Sequence, residues 1–211
     1  ILLLINDNKE LRNLLIEQSK EKDEYKNMVL EVVKNGTTNN SHNTTHTNSH
    51  NKAFNLNFFL NETCKDAMNI GEFVDSLKLQ LSDLEKVGEA GYIEGISSII
   101  VKNLKALDVT KRPVHCTDKK RETIYIKDDN KWEKEDENNT KLRKAIKNIA
   151  AKNHRLLPAY REKYPGCQFA ESIYGDKYNK LMIEALGGAG DNDLEKENKI
   201  IHNITKNIVI D

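Results

Sequence analysis

Val114-His115-Cys116-Thr117, Thr123-Ile124-Tyr125-Ile126-Lys127 and Lys131-Trp132-Glu133, the last two parted by Asp128-Asp129-Asn130, decide the fold of this 211-residue chain. Short runs rich in β-branched and aromatic residues, broken by Asp and Asn, read as strands joined by turns. The stretch therefore predicts a small antiparallel meander, with Trp132 anchoring the sheet against helices. The flanking sequence is almost all helical in spacing. The fold class is accordingly α+β, mainly α: an N-terminal coiled-coil helix, then a helical domain with a small antiparallel β-meander.

Upstream of the meander, Tyr92 to Leu107 is the strongest buried helix, with Ile96, Ile99, Ile100, Leu104 and Leu107 on one side. Pro113 ends that helical region. Ile70 to Leu81 is helical by spacing, with Phe73, Leu77 and Leu81 on one face, and Ser82-Asp83-Leu84-Glu85 begins a capping-box pattern. Phe54 to Leu60 alternates apolar and polar and predicts a short strand, after which Asn61 caps a helix from Glu62 to Met68. Downstream, Asn138-Asn139-Thr140 caps a helix from Lys141 to Lys152 with Leu142, Ile146 and Ile149 inward. Leu156 to Gly175 reads as loop. Helices from Asp176 to Leu186 and from Asp193 to about Val209 close the chain, split by Gly187-Gly188-Ala189-Gly190.

Residues 1–34 form a different unit. Leu4, Asn8, Leu11, Leu15, Gln18, Lys22, Tyr25, Val29 and Val32 step alternately by four and three, the a/d spacing of a coiled-coil seam. Polar Asn8, Gln18 and Lys22 weaken such a seam but fix its register. A stalk of this kind predicts a homo-oligomer. Asn35-Gly36 stops the helix, and residues 35–53 read as a disordered Asn/Thr/Ser/His linker without apolar material to bury. Residues 54–211 are then one globular domain. The opening Ile1-Leu2-Leu3-Leu4-Ile5 lacks Met and predicts a piece of a longer protein. It is too short for a membrane span, and no membrane association is expected.

Thirty-three basic and thirty-three acidic residues cancel, so bulk charge gives no warrant for nucleic-acid binding. Local clustering does: Lys119, Lys120 and Arg121 in the meander, then Lys141, Arg143, Lys144, Lys147, Lys152 and Arg155, are candidate contacts to phosphates of DNA or RNA. Cys64, Cys116 and Cys167 are odd in number and far apart, which argues against a disulfide framework. His115-Cys116 beside Asp118 is the one tight group of reactive types. Adjacent strand residues point to opposite faces, so His115 does not serve Cys116; a core Cys with a surface His is expected. Cys64, His115, Cys116 and Cys167 lack zinc-ligand spacing. His42, His46 and His50 recur every fourth residue, but among poor helix formers. The glycine run lacks the Lys-Ser/Thr of a phosphate loop. No catalytic residue, metal or cofactor is expected.

Phe54-Asn55-Leu56-Asn57-Phe58-Phe59-Leu60-Asn61-Glu62-Thr63-Cys64-Lys65-Asp66-Ala67, Gly95-Ile96-Ser97 through Leu107, Lys111-Arg112-Pro113-Val114-His115-Cys116-Thr117-Asp118, Tyr125-Ile126-Lys127 and Lys131-Trp132-Glu133 resemble a domain of giant DNA virus proteins (nucleocytoplasmic large DNA viruses). The likeness covers roughly half the chain. In that family the domain often follows an N-terminal Cys/His zinc finger and a helical, Asn-rich spacer. The resemblance implies a viral protein of the host cytoplasm (the viral factory) or the virion, with nucleic-acid contact upstream of Ile1. The expected function is a non-enzymatic oligomerisation and interaction module in a nucleic-acid-associated or regulatory protein. The alternative is a virion structural protein, a fibre, spacer or capsid-docking component, whose partners are virion or host proteins.

Overall fold

The computed structural model describes residues 54–169 and 171–210. The predicted stalk, its seam from Leu4 to Val32 and the linker lie outside them.

The sheet is the predicted meander. Strands β1 (Val114–Asp118), β2 (Thr123–Asp128) and β3 (Lys131–Lys134) pair antiparallel in the order β1-β2-β3. Asp129 and Asn130 both have positive φ, which makes the β2–β3 connection a two-residue hairpin of the twist that suits paired strands. The register sets Val114 opposite Ile126 and Cys116 opposite Ile124, so these four share the core face. His115 opposite Tyr125, and Lys127 opposite Trp132, share the other.

Helices α1 (Ile70–Ser76), α2 (Leu81–Ala90) and α3 (Tyr92–Ala106) precede the sheet. Helices α4 (Thr140–His154), α5 (Leu157–Lys163), α6 (Ile173–Ala185) and α7 (Asp193–Thr205) follow it. The main core joins the inner sheet face to α1, α3, α4 and α7 through Phe73, Ile96, Ile100, Leu104, Ile146, Ile149, Ile200 and Ile204. A second, smaller core of Leu84, Leu157, Tyr160, Cys167, Tyr178 and Leu181 lies between α2, α5 and α6. Gly91, at φ +89°, lets α2 turn into α3 with a single residue between them.

Several local expectations are corrected. Phe54 to Leu60 is not a strand: Leu56–Phe58 is a helical turn that runs into a π-helical turn, Phe59–Thr63. Asn55 Oδ1 accepts from Phe58 N at 3.1 Å and so starts a turn where alternation suggested a strand. The helix expected from Ile70 to Leu81 breaks after Ser76, and the cap of α2 is made by Gln80 with Asp83, earlier than Ser82. Helix α4 is capped by Asp136, whose carboxylate accepts from Thr140 N at 3.0 Å, not by the Asn pair. The segment read as loop contains α5 and a 3-10 turn, Pro165–Gln168. The last helix ends at Thr205, and the chain beyond it lies parallel against β1: Cys116 N donates to Ile208 O at 3.2 Å and Ile210 N to Cys116 O at 3.0 Å.

Candidate functional site

His115 and Cys116 occupy opposite faces of β1, as strand geometry requires, and both are fully buried. The surface position expected for His115 is wrong because the turns Leu56–Phe58 and Phe59–Thr63 cover the outer face. Its ring packs edge-on against Phe59, centroids 5.2 Å apart, and lies 5.3 Å from the Trp132 ring. His115 Nε2 is 3.7 Å from Cys64 Sγ, and Nδ1 has no hydrogen-bond partner among the described residues. Burial, with a smaller contribution from Arg112, pushes the imidazole down to about 4. Burial likewise raises the thiols of Cys64 and Cys116. Neutral imidazole beside a protonated thiol, closed off from solvent, does not assemble a nucleophile. Among the described residues no group of three or more His, Cys, Asp or Glu could hold a metal ion.

The basic candidates are largely engaged. Lys141 pairs with Glu133 at 2.6 Å and Asp128 at 3.3 Å. Arg143 and Lys147 both reach Glu197, at 2.9 and 3.3 Å. Lys152 donates to the carbonyls of Val74 and Asp75 at the end of α1, at 2.7 and 3.0 Å. Arg121 lies 3.9 Å from Asp118. Lys119, Lys120, Lys144 and Arg155 are exposed and have no ion pair among the described residues. The structure therefore divides the nine residues between the β1–β2 loop and α4 with Arg155 just after it, and the engaged cations of α4 turn to the β2–β3 hairpin, to α7 and to α1.

A cleft of about 720 Å³ opens where the start of α3, the glycine loop and one face of α7 meet. Its polar groups mostly satisfy one another: His202 Nδ1 bonds Glu122, Asn203 Nδ2 donates to Glu94 Oε1 at 3.1 Å, and Lys199 meets Glu195 at 2.6 Å. Glu184 Oε2 accepts from Tyr92 N at 2.7 Å and holds the first turn of α3. Lys196, buried, donates to Gly188 O and Gly190 O, giving the predicted connector a fixed shape. Sequence reading missed this cleft. Glu122 and His202 are 80 positions apart and carry no local signal.

Large apolar side chains face solvent around the start of α6. Phe169, Ile173 and Tyr174 are 70, 75 and 41 % exposed, and Tyr174 stacks on Tyr164 at 5.5 Å, which ties that one ring to the second core. Among the described residues no helix is long and apolar enough to cross a membrane.

Set against known proteins, the chain matches no family model, no curated protein and no solved structure. These comparisons neither support nor overturn the resemblance to giant-virus proteins.

Proposed function

We propose that this chain is a non-enzymatic assembly and interaction module: the seam from Leu4 to Val32 joins subunits, and the C-terminal domain docks a partner protein. The observation that carries the docking half is the exposed group Phe169, Ile173 and Tyr174. Scattered exposed apolar residues are ordinary, but three within six positions, one of them stacked on a tyrosine of the second core, suit a protein contact. Five of the nine basic candidates are already held by carboxylates or helix-end carbonyls, which weakens the case for a phosphate-binding surface on this domain. In the context implied by the resemblance, the module belongs to a nucleic-acid-associated or regulatory viral protein.

A second reading, a virion component with this domain as its docking head, draws on the same apolar group. The test is the solution mass of the full chain, with binding to duplex and single-stranded DNA followed across a salt series. The module reading expects a stable oligomer without micromolar, salt-sensitive DNA binding. A trimer of that description moves the assignment to the virion component. A monomer removes the assembly half, and micromolar binding that weakens steeply with salt replaces docking with phosphate contact.

A further inference from the structure

His115 is held in a place that suits only its neutral form. The turns Leu56–Phe58 and Phe59–Thr63 lay Phe59 across one side of the ring, and Trp132 from β3 flanks it. A charged imidazolium would need an acceptor for each N–H. Nδ1 faces none among the described residues, and Nε2 meets only the Cys64 sulfur, a weak acceptor. The neighbouring charges worsen the position. Lys127 from β2 is buried beneath the same turns with its ammonium on the Lys65 carbonyl, and Arg112 lies just before β1. Asp108 is turned to Thr110, accepting from its N–H at 2.8 Å and its hydroxyl at 2.7 Å.

The covering segment is itself lightly held. Leu60 and Cys64 are buried, while Phe54 and Phe58 stand in solvent. Its polar ties to the rest of the domain are the Cys64–His115 contact, the Lys127 bond to Lys65 O and a Trp132 Nε1–H bond to Cys64 O at 3.4 Å, with an exposed Asp66–Lys111 ion pair at 3.6 Å at its end. Met68 N donates to Lys111 O at 3.2 Å just beyond it. A segment with so few buried contacts opens more readily than the core helices.

We propose that Phe59, His115 and Trp132 form an acid-sensitive latch: neutral His115 holds residues 54–65 on the outer sheet face, and protonation of its ring releases them. The sign follows from linkage. A histidine held near 4 when covered and near 6.5 when exposed stabilises the closed form fully above 6.5 and progressively less as pH falls toward 4. Between pH 7 and pH 5 the opening constant rises about 20-fold.

Amide hydrogen exchange of the full chain at pH 7 and pH 5, corrected for intrinsic rates, reads this directly. The expected result is that opening of residues 56–65 exceeds that of α3 at both pH values and rises about 20-fold at pH 5, and that His115→Phe abolishes the rise. Exchange of 56–65 in step with α3, or a pH response that survives in His115→Phe, overturns the latch. Should the variant not fold, the ring titration of His115 by NMR in the unaltered chain is set beside the exchange of 56–65: opening that rises in step with protonation of the ring supports the latch, and a midpoint near 6.5, or protonation without a rise in opening, ends it.

Discussion

Glu197 lies on α7 with its side chain only 6 % exposed, and it receives Arg143 Nη1 at 2.9 Å and Lys147 Nζ at 3.3 Å. Arg143, itself 14 % exposed, also donates to the carbonyl of Asn138 at 2.6 Å, so one guanidinium ties the start of α4 to the middle of α7. Glu197→Leu would leave that guanidinium facing an apolar group. We expect a loss of about 3 kcal/mol in urea unfolding, with part recovered when Arg143→Met is added, because a buried charge without its partner costs more than an apolar pair. Gly95 and Gly71 make a second contrast at this scale. A Cβ on Gly95 would meet Val87 Cα at 2.7 Å, whereas one on exposed Gly71 meets nothing within 4 Å. Gly71→Ala should therefore stabilise by about 0.5 kcal/mol through helix propensity. Gly95→Ala should destabilise by about 1–3 kcal/mol, since α2 and α3 must part to admit the methyl group. Opposite shifts of the urea midpoint would bear this out, and shifts of the same sign would refute it.

Helix α1 shows how an element can depend on a residue far along the chain. Lys152, near the end of α4, reaches two carbonyls in the last turn of α1, that of Asp75 and that of Val74, which also accepts from Leu77 N at 3.4 Å. Lys152→Met keeps the aliphatic stem and removes the donor. The expected outcome is faster amide exchange in Phe73 to Leu77 and about 1–2 kcal/mol lost in unfolding, as for a hydrogen bond from a charged group. Elements with their own punctuation were legible in the sequence. Ile96, Ile99, Ile100 and Leu104 share a stripe that only a helix makes contiguous, and Asp129-Asn130 marks a hairpin turn. Phe54 to Leu60 was misread because alternation over seven residues also fits a helical turn that buries only Leu60, and the deciding cap from Asn55 is one hydrogen bond. Asp136 was missed as the cap of α4 because it reaches Thr140 four residues on, past the Asn pair that chemistry favours. Helix α5 was missed because Pro158 and Pro165 read as breakers, yet proline is tolerated in a first turn.

Across the whole molecule, what the sequence could not show is what covers what. His115 is buried by residues some fifty positions earlier, and the cleft joins Glu122 to His202 across eighty, so neither site has a local pattern. The C-terminal segment is of the same kind. Ile208 is buried in the main core, and its own carbonyl and the N–H of Ile210, on either side of Val209, pair with Cys116 along the edge of β1 that β2 leaves open. That segment both fills the core and covers a sheet edge, and the two roles separate by mutation. Ile208→Ala removes the side chain and keeps the edge bonds, so it should lower stability by about 2–5 kcal/mol while leaving the solution mass of the folded chain unchanged. A chain ending at Asn207 loses both. It should be at least as destabilised, and its bared β1 edge should drive concentration-dependent growth in mass by light scattering, because unpaired strand edges template further pairing. If the shortened chain keeps the parent mass and loses no more stability than Ile208→Ala, the edge pairing does no work and the segment is held by its isoleucine alone.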